Sequence, residues 1–359
     1  MKTRAFATVL AAALAAAVLI SGCTPSVGGV TTPAYQSYLY MTDTNSGKIY
    51  AYDLVTHKDI GQSIATTGKN ATGEIAYYKG IGYVAVGFGT DKGVFYFDPS
   101  TANPSFTKMS GSVAAQFIAF CSPTKAYVST YGTGLYTFDP SSRSSLTAVA
   151  STSGLTLQEV IVGKDGFVYV ADNGRGKVLR IDPSDDSIKA TVTTTAAGTT
   201  GLVAGTLNGL SGVFVANSGG YDSNYSPLPG SIDFIAAGAA DNSTATAVAT
   251  SASAAIYPAR IIQLDNGNLV ATGYGHTYLE VVSAGPTPTE LKDSGNSAFG
   301  SLDIAYKNGL VYVPVAITSD YVSYSNKLFI FDASGFQQSY SPVSVMTSSD
   351  GISNIGFYE

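Results

Sequence analysis

An aromatic or aliphatic residue followed by Asp, and often by Pro-Ser, recurs along this chain. It stands at Tyr52-Asp53, Phe97-Asp98-Pro99-Ser100, Phe138-Asp139-Pro140-Ser141, Ile181-Asp182-Pro183-Ser184 and Phe331-Asp332-Ala333-Ser334. The first four copies lie about 41 to 45 residues apart, and the gap from Asp182 to Asp332 fits three units of about 50. Asp accepts a backbone hydrogen bond at the start of a turn and Pro presets the next φ, so Asp98, Asp139 and Asp182 need no ligand to explain them. A unit of this period cannot bury its apolar face alone and has to stack on its neighbours.

The internal order of a unit is clearest over residues 157–194. Leu157-Gln158-Glu159-Val160-Ile161-Val162 alternates as a first strand, and Gly163-Lys164-Asp165-Gly166 turns the chain. Phe167-Val168-Tyr169-Val170-Ala171 is an apolar second strand, residues 177–181 a third and residues 187–193 a polar fourth. Four antiparallel strands repeated at this period form a β-propeller blade. Only 12% of residues are charged, 11% are aromatic and 39 are Gly, which suits short strands and tight turns. The first unit starts directly on its second strand, Tyr38-Leu39-Tyr40-Met41-Thr42, and the missing first strand is supplied by residues 352–358 at the far end. Pairing the termini in one blade removes an exposed edge. The expectation is an all-β, seven-bladed β-propeller with four-stranded antiparallel blades over residues 37–359.

Ahead of the repeats, Lys2 and Arg4 precede an apolar run at residues 5–20, the pattern of an export signal. The following Ile20-Ser21-Gly22-Cys23 resembles the lipobox of bacterial lipoproteins. That resemblance implies cleavage of residues 1–22, lipidation of Cys23 and a membrane attachment outside the cytoplasm, in the outer membrane where there is one. Residues 23–36, rich in Thr, Pro, Ser and Gly, then read as a flexible tether. The chain carries 25 acidic against 19 basic residues, which argues against a nucleic-acid partner. With Cys23 lipidated, Cys121 has no disulfide partner and reads as a small buried hydrophobe.

Tyr169-Val170-Ala171-Asp172-Asn173-Gly174 with Val178-Leu179-Arg180-Ile181-Asp182 resembles the YVTN and NHL-like propeller repeats, as do residues 38–53. The resemblance covers nearly the whole mature chain and implies extracytoplasmic binding more often than chemistry. The departures are long insertions in the fifth and seventh units and loss of the Asp turn in the fifth and sixth.

Signals for chemistry are sparse. There is no G-x-S-x-G, H-E-x-x-H or C-x-x-C, and Gly87-Phe88-Gly89 and Gly174-Arg175-Gly176 read as hairpin turns and not as phosphate cradles. The absence of Trp weighs against quinoprotein-like propellers, and no metal or cofactor is expected. The two histidines, His57 and His276, fall in turns on opposite faces of a propeller and cannot share a site. The turns between second and third strands are the most distinctive face. Its longest loops carry Tyr221, Tyr225, Tyr321 and Tyr324, with Asp172, Arg175 and His276 nearby. Tyr offers rigid contact area plus a hydroxyl, as on surfaces that hold proteins or glycans. The expected function is therefore a lipid-anchored, non-enzymatic module binding an envelope protein, peptide or glycan through those seven residues. The alternative is a hydrolase or lyase resembling lactonase or streptogramin-lyase propellers, with acidic residues at the channel mouth and His276 as a base.

Overall fold

The computed structural model describes residues 37–358, apart from 44–45, 60–62, 67–71, 102–103, 225, 227, 251–256, 274–275, 281–288, 294, 317–323, 336–342 and 345–350. Six sheets are antiparallel and four-stranded, each with its strands in chain order. Their first strands are Thr72–Tyr78, Ala115–Ser122, Leu157–Val162, Thr199–Leu207, Pro258–Gln263 and Ala305–Lys307. The remaining sheet is composite. The C-terminal strand Ile352–Phe357 takes first place, followed by Tyr38–Asp43, Lys48–Asp53 and Lys58–Asp59. Leu39 pairs with Phe357 and Met41 with Ile355 in that sheet. The expected seven uniform four-stranded blades are thus realised as six, and the composite sheet departs because Ala65–Thr66 also pairs with Lys48–Asp53. The chain is a β-propeller.

Apolar clusters lie between successive sheets. Tyr169, Ala171 and Val178 pack against Leu202, Val213 and Val215 of the next sheet, and Phe214, Ile232 and Phe234 pack against Ile261, Leu269 and Ala271. Leu39, Met41 and Tyr52 of the composite sheet meet Tyr312, Leu328 and Ile330 on one side and, through Tyr40 and Ile49, Ile75 and Val84 on the other. A second strand is covered on both faces, which is why Val168–Asp172 is buried at every position and its residues 168–171 read as an unbroken apolar run. Each fully buried side chain of this size contributes roughly 1.5–3 kcal/mol.

The repeated aspartates behave as turn residues. Oδ1 of Asp98, Asp139, Asp182 and Asp332 accepts both the backbone N–H and the hydroxyl of the Ser two residues on, at 2.6–2.9 Å. Those donors hold Asp139, Asp182 and Asp332 below the usual carboxylate range. Cys121 is half-buried at the edge of an apolar cluster, more open than expected, and burial pushes its thiol up.

Candidate functional site at the channel mouth

The first strands line the propeller axis, and six of them carry a one-residue irregularity near their start. Gly73 and Glu74 together face Ala85, Gln116 and Phe117 face Ser129, and Gln158 and Glu159 face Ala171. Thr200, Ala259 and Ser353 are the extra residues in the remaining three. A bulge re-aims the side chains at and after it, and such bulges gather next to functional sites. Here they produce two tiers. Gly73, Gln116, Gln158, Thr200, Ala259, Leu302 and Ser353 ring a cavity of about 360 Å³, and Glu74, Phe117, Arg260 and Asn354 from the next tier also reach it. The tier below is closely fitted: a Cβ on Gly201 would lie 2.6 Å from the Ala259 carbonyl oxygen and 2.9 Å from Arg260 Cα.

Arg260 is the hub of that lower tier. Its Nη1 lies 2.7 Å from Glu159 Oε1, its Nε 3.1 Å from Asp303 Oδ1 and its Nη2 3.7 Å from Glu74 Oε1. The Nη1 contact is ionic, without hydrogen-bond alignment. The guanidinium also sits over the Phe117 ring, 4.8 Å from its centroid. Each carboxylate uses its other oxygen to hold the first strand of the following sheet. Glu74 accepts the Ile118 N–H, Glu159 the Leu202 N–H at 2.8 Å and Asp303 the Ile355 N–H at 2.8 Å.

Three carboxylates around one guanidinium cannot all ionise without cost in a buried site. Burial raises Glu74 to about 8 and Glu159 to about 7, with Arg260 opposing the rise and the neighbouring carboxylates adding to it. Asp303 is raised by burial too, while Arg260 and two backbone N–H groups pull it down. Arg260 itself is held charged, its pKa raised by the surrounding carboxylates.

The cavity opens on the face formed by turns between second and third strands, since Phe88 and Ser218 lie just beyond second strands Ile81–Val86 and Leu210–Asn217. Among the described residues, six large apolar side chains are exposed. Phe88, Tyr131, Tyr221 and Leu228 are on this face, whereas Val55, in a turn, and Leu210, at the start of its strand, are at the opposite end. Phe88 and Tyr131, from adjacent sheets, approach to 6.2 Å between ring centroids.

The residues expected from sequence fall in four groups. Tyr221 is 70% exposed, in the loop that starts at the cavity wall with Ser218. Arg175 is half-exposed and its Nε donates to Asp172 Oδ2, whereas Asp172 is fully buried, because it ends a second strand covered on both faces. Asp172 therefore orients Arg175 and does not itself meet solvent, a correction to its expected exposure. His276 begins the third strand His276–Glu280, paired with Gly273, and Tyr324 begins Tyr324–Asp332. Tyr225, Tyr321 and Cys23 lie outside the described residues. The structure brings Tyr221 and Arg175 onto the face of the cavity. It adds Phe88, Tyr131 and the Arg260 cluster, which sequence reasoning missed. A shared signal marks the cluster: Glu74-Ile75, Glu159-Val160, Arg260-Ile261 and Asp303-Ile304 each set a charge directly before an aliphatic residue in or just before a first strand.

The fold and this channel mouth define a β-propeller with a solvent-open axial cavity. No known family and no curated protein sequence matches the chain. Solved structures do. A functionally unknown protein from Desulfotomaculum acetoxidans DSM 771 is 14% identical, with a TM-score of 0.62 over 90% of this chain and 100% of the other. Dihydro-heme d1 dehydrogenase NirN in complex with DHE gives 0.57 at 10% identity, over 86% and 73%. A structure of the nidogen/laminin complex gives 0.51 at 8%, over 89% and 97%. At these identities the likeness is one of fold alone.

Proposed function

We propose that this chain is a lipid-anchored, seven-bladed propeller of the cell envelope, attached through Cys23 and working as a binding module. Its composite sheet counts as the seventh blade. Its recognition face is the one bearing the channel mouth. The observation that carries this reading is the segregation, among the described residues, of exposed aromatic side chains: Phe88, Tyr131 and Tyr221 lie at the same end as the cavity. Exposed aromatic area gathered on one face marks interaction sites, whereas scattered single residues do not. The partner class is an envelope protein, peptide or glycan, with Tyr221, Tyr225, Tyr321, Tyr324, Arg175 and His276 extending the surface and Asp172 supporting it from below.

A hydrolase or lyase at the channel is the second reading. It is favoured by Glu74, which reaches the cavity with its carboxyl raised to about 8, the property of a general acid. Against it, each of the three carboxylates already holds a backbone N–H and faces Arg260. The two readings separate in one experiment. Wild-type lipoprotein and the Phe88→Ser/Tyr131→Ser/Tyr221→Ser variant are each immobilised and challenged with solubilised envelope. Components retained by wild type and lost by the variant support binding. Equal retention by both, together with turnover of lactone or glycan substrates that Glu74→Gln abolishes, supports catalysis.

A further inference from the structure

We propose that the channel cavity receives the uncharged, hydroxyl-rich end of a glycan, with amide side chains reading its hydroxyls and Phe88 stacking on its apolar ring face. The proposal rests on the binding-module reading and names its ligand class.

Three features of the cavity point to this chemistry. The first is its free amides. Gln116, Gln158 and Asn354 come from three different sheets and all line the cavity, and among the described residues none hydrogen-bonds their side chains. A primary amide donates and accepts at once, and so does a sugar hydroxyl, so each amide matches a hydroxyl whichever way either turns. The second is charge. The cationic Arg260 at the floor is outnumbered by Glu74, Glu159 and Asp303, so it offers no free positive charge to an acidic sugar or a phosphate. No group of acidic residues, His or Cys suited to a metal ion occurs among the described residues either. The third is the rim. Phe88 is 58% exposed at the cavity edge and leans towards Tyr131, making an aromatic wall beside the amide-bearing cavity. A pyranose presents that same combination, an apolar C–H face bordered by hydroxyls. A volume of about 360 Å³ is near the lower end for ligand sites and admits a chain terminus more readily than a folded segment.

The test uses the full lipoprotein in lauryldimethylamine oxide, a detergent without a sugar headgroup. Maltotriose, mannotriose and N,N′,N″-triacetylchitotriose are titrated by calorimetry, with trigalacturonate as the acidic counterpart. At least one neutral trisaccharide saturates with a Kd tighter than about 1 mM, and trigalacturonate does not bind. Gln158→Leu and, on another sheet, Gln116→Leu each weaken that binding by about tenfold, the loss of one hydrogen bond. Phe88→Ala, at an exposed position where folding is not at stake, weakens it as well, and Val55→Ser on the opposite face leaves it unchanged. The proposal is overturned if no neutral trisaccharide saturates, if trigalacturonate binds more tightly, or if both glutamine variants bind like wild type. Envelope capture that needs Phe88, Tyr131 and Tyr221 would, in that event, leave the binding-module reading standing and direct it to a protein or peptide. Loss of both results would remove the two together.

Discussion

Asp303 accepts the Ile355 N–H on one carboxylate oxygen at 2.8 Å and holds Arg260 Nε on the other at 3.1 Å. One side chain thereby ties the C-terminal strand, which begins the composite sheet, to the ionic hub on the propeller axis. Glu74 and Glu159 repeat the arrangement at two other sheet boundaries, so the channel floor is as much a structural fastening as a ligand surface.

Removing the cation from this hub leaves three buried carboxylates with no counter-charge. Breaking a buried pair from one side typically costs about 3–5 kcal/mol. Arg260→Met is therefore expected to lower stability by about that amount in urea unfolding, with a larger loss at pH 8 than at pH 5.5, where the carboxyls take up protons. An equal loss at both pH values would show that the carboxylates are not the cause.

The folded-state values of Glu74 and Glu159 are raised from an ordinary 4.5 to about 8 and about 7. The folded state then binds more protons than the unfolded chain between those limits, so stability falls as pH rises through the window. The turn aspartates, held below their usual range, change stability only in stronger acid and stay outside it. The thermal midpoint is expected to drop by a few degrees from pH 5 to pH 8. Glu74→Gln, which cannot ionise, should flatten that slope.

Gly201 tests the close fit of the lower tier. A methyl group there would meet the Ala259 carbonyl oxygen and Arg260 Cα at 2.6 and 2.9 Å, both backbone atoms that cannot swing aside. Gly201→Ala is expected to cost about 1–3 kcal/mol by overpacking, and also to weaken any ligand that reaches the channel floor. Gly209→Ala, at a turn glycine with open space around it but a positive φ, should lose stability through backbone strain while leaving binding intact.

The propeller was legible in the sequence because its turns demand fixed chemistry. An Asp that must accept the N–H two residues on leaves a visible mark wherever the turn is kept, as at Asp98, Asp139 and Asp182. The terminal pairing could be read because the unit beginning at Tyr38 lacks a first strand and residues 352–358 supply one. The channel hub was hidden. Its four charges come from separate units, Glu74, Glu159 and Arg260 each beside a bulge and Asp303 just ahead of its strand, and an isolated charge at such a position reads as a solvated face. Phe88 and Tyr131 escaped notice for a different reason. They sit in short hairpin turns, and only the folding of adjacent sheets brings their rings to 6.2 Å.

The anchor is tested by chemistry at one atom. If Cys23 carries the lipid, labelled palmitate is incorporated into wild type and the protein sediments with membranes. Cys23→Ser should abolish the label and release the protein, with the fold of residues 37–358 retained. Persistent membrane sedimentation of the unlabelled variant would mean attachment by another route.

The most direct measurement is photocross-linking in intact cells with p-benzoylphenylalanine placed singly at positions 88, 131 and 221 on the channel-mouth face and at 55 and 210 on the opposite face. A common envelope component attached from positions 88, 131 and 221, and absent from 55 and 210, is the predicted result. The same adducts from both faces, or adducts from 55 and 210 alone, would contradict the assignment of the channel-mouth face as the recognition surface.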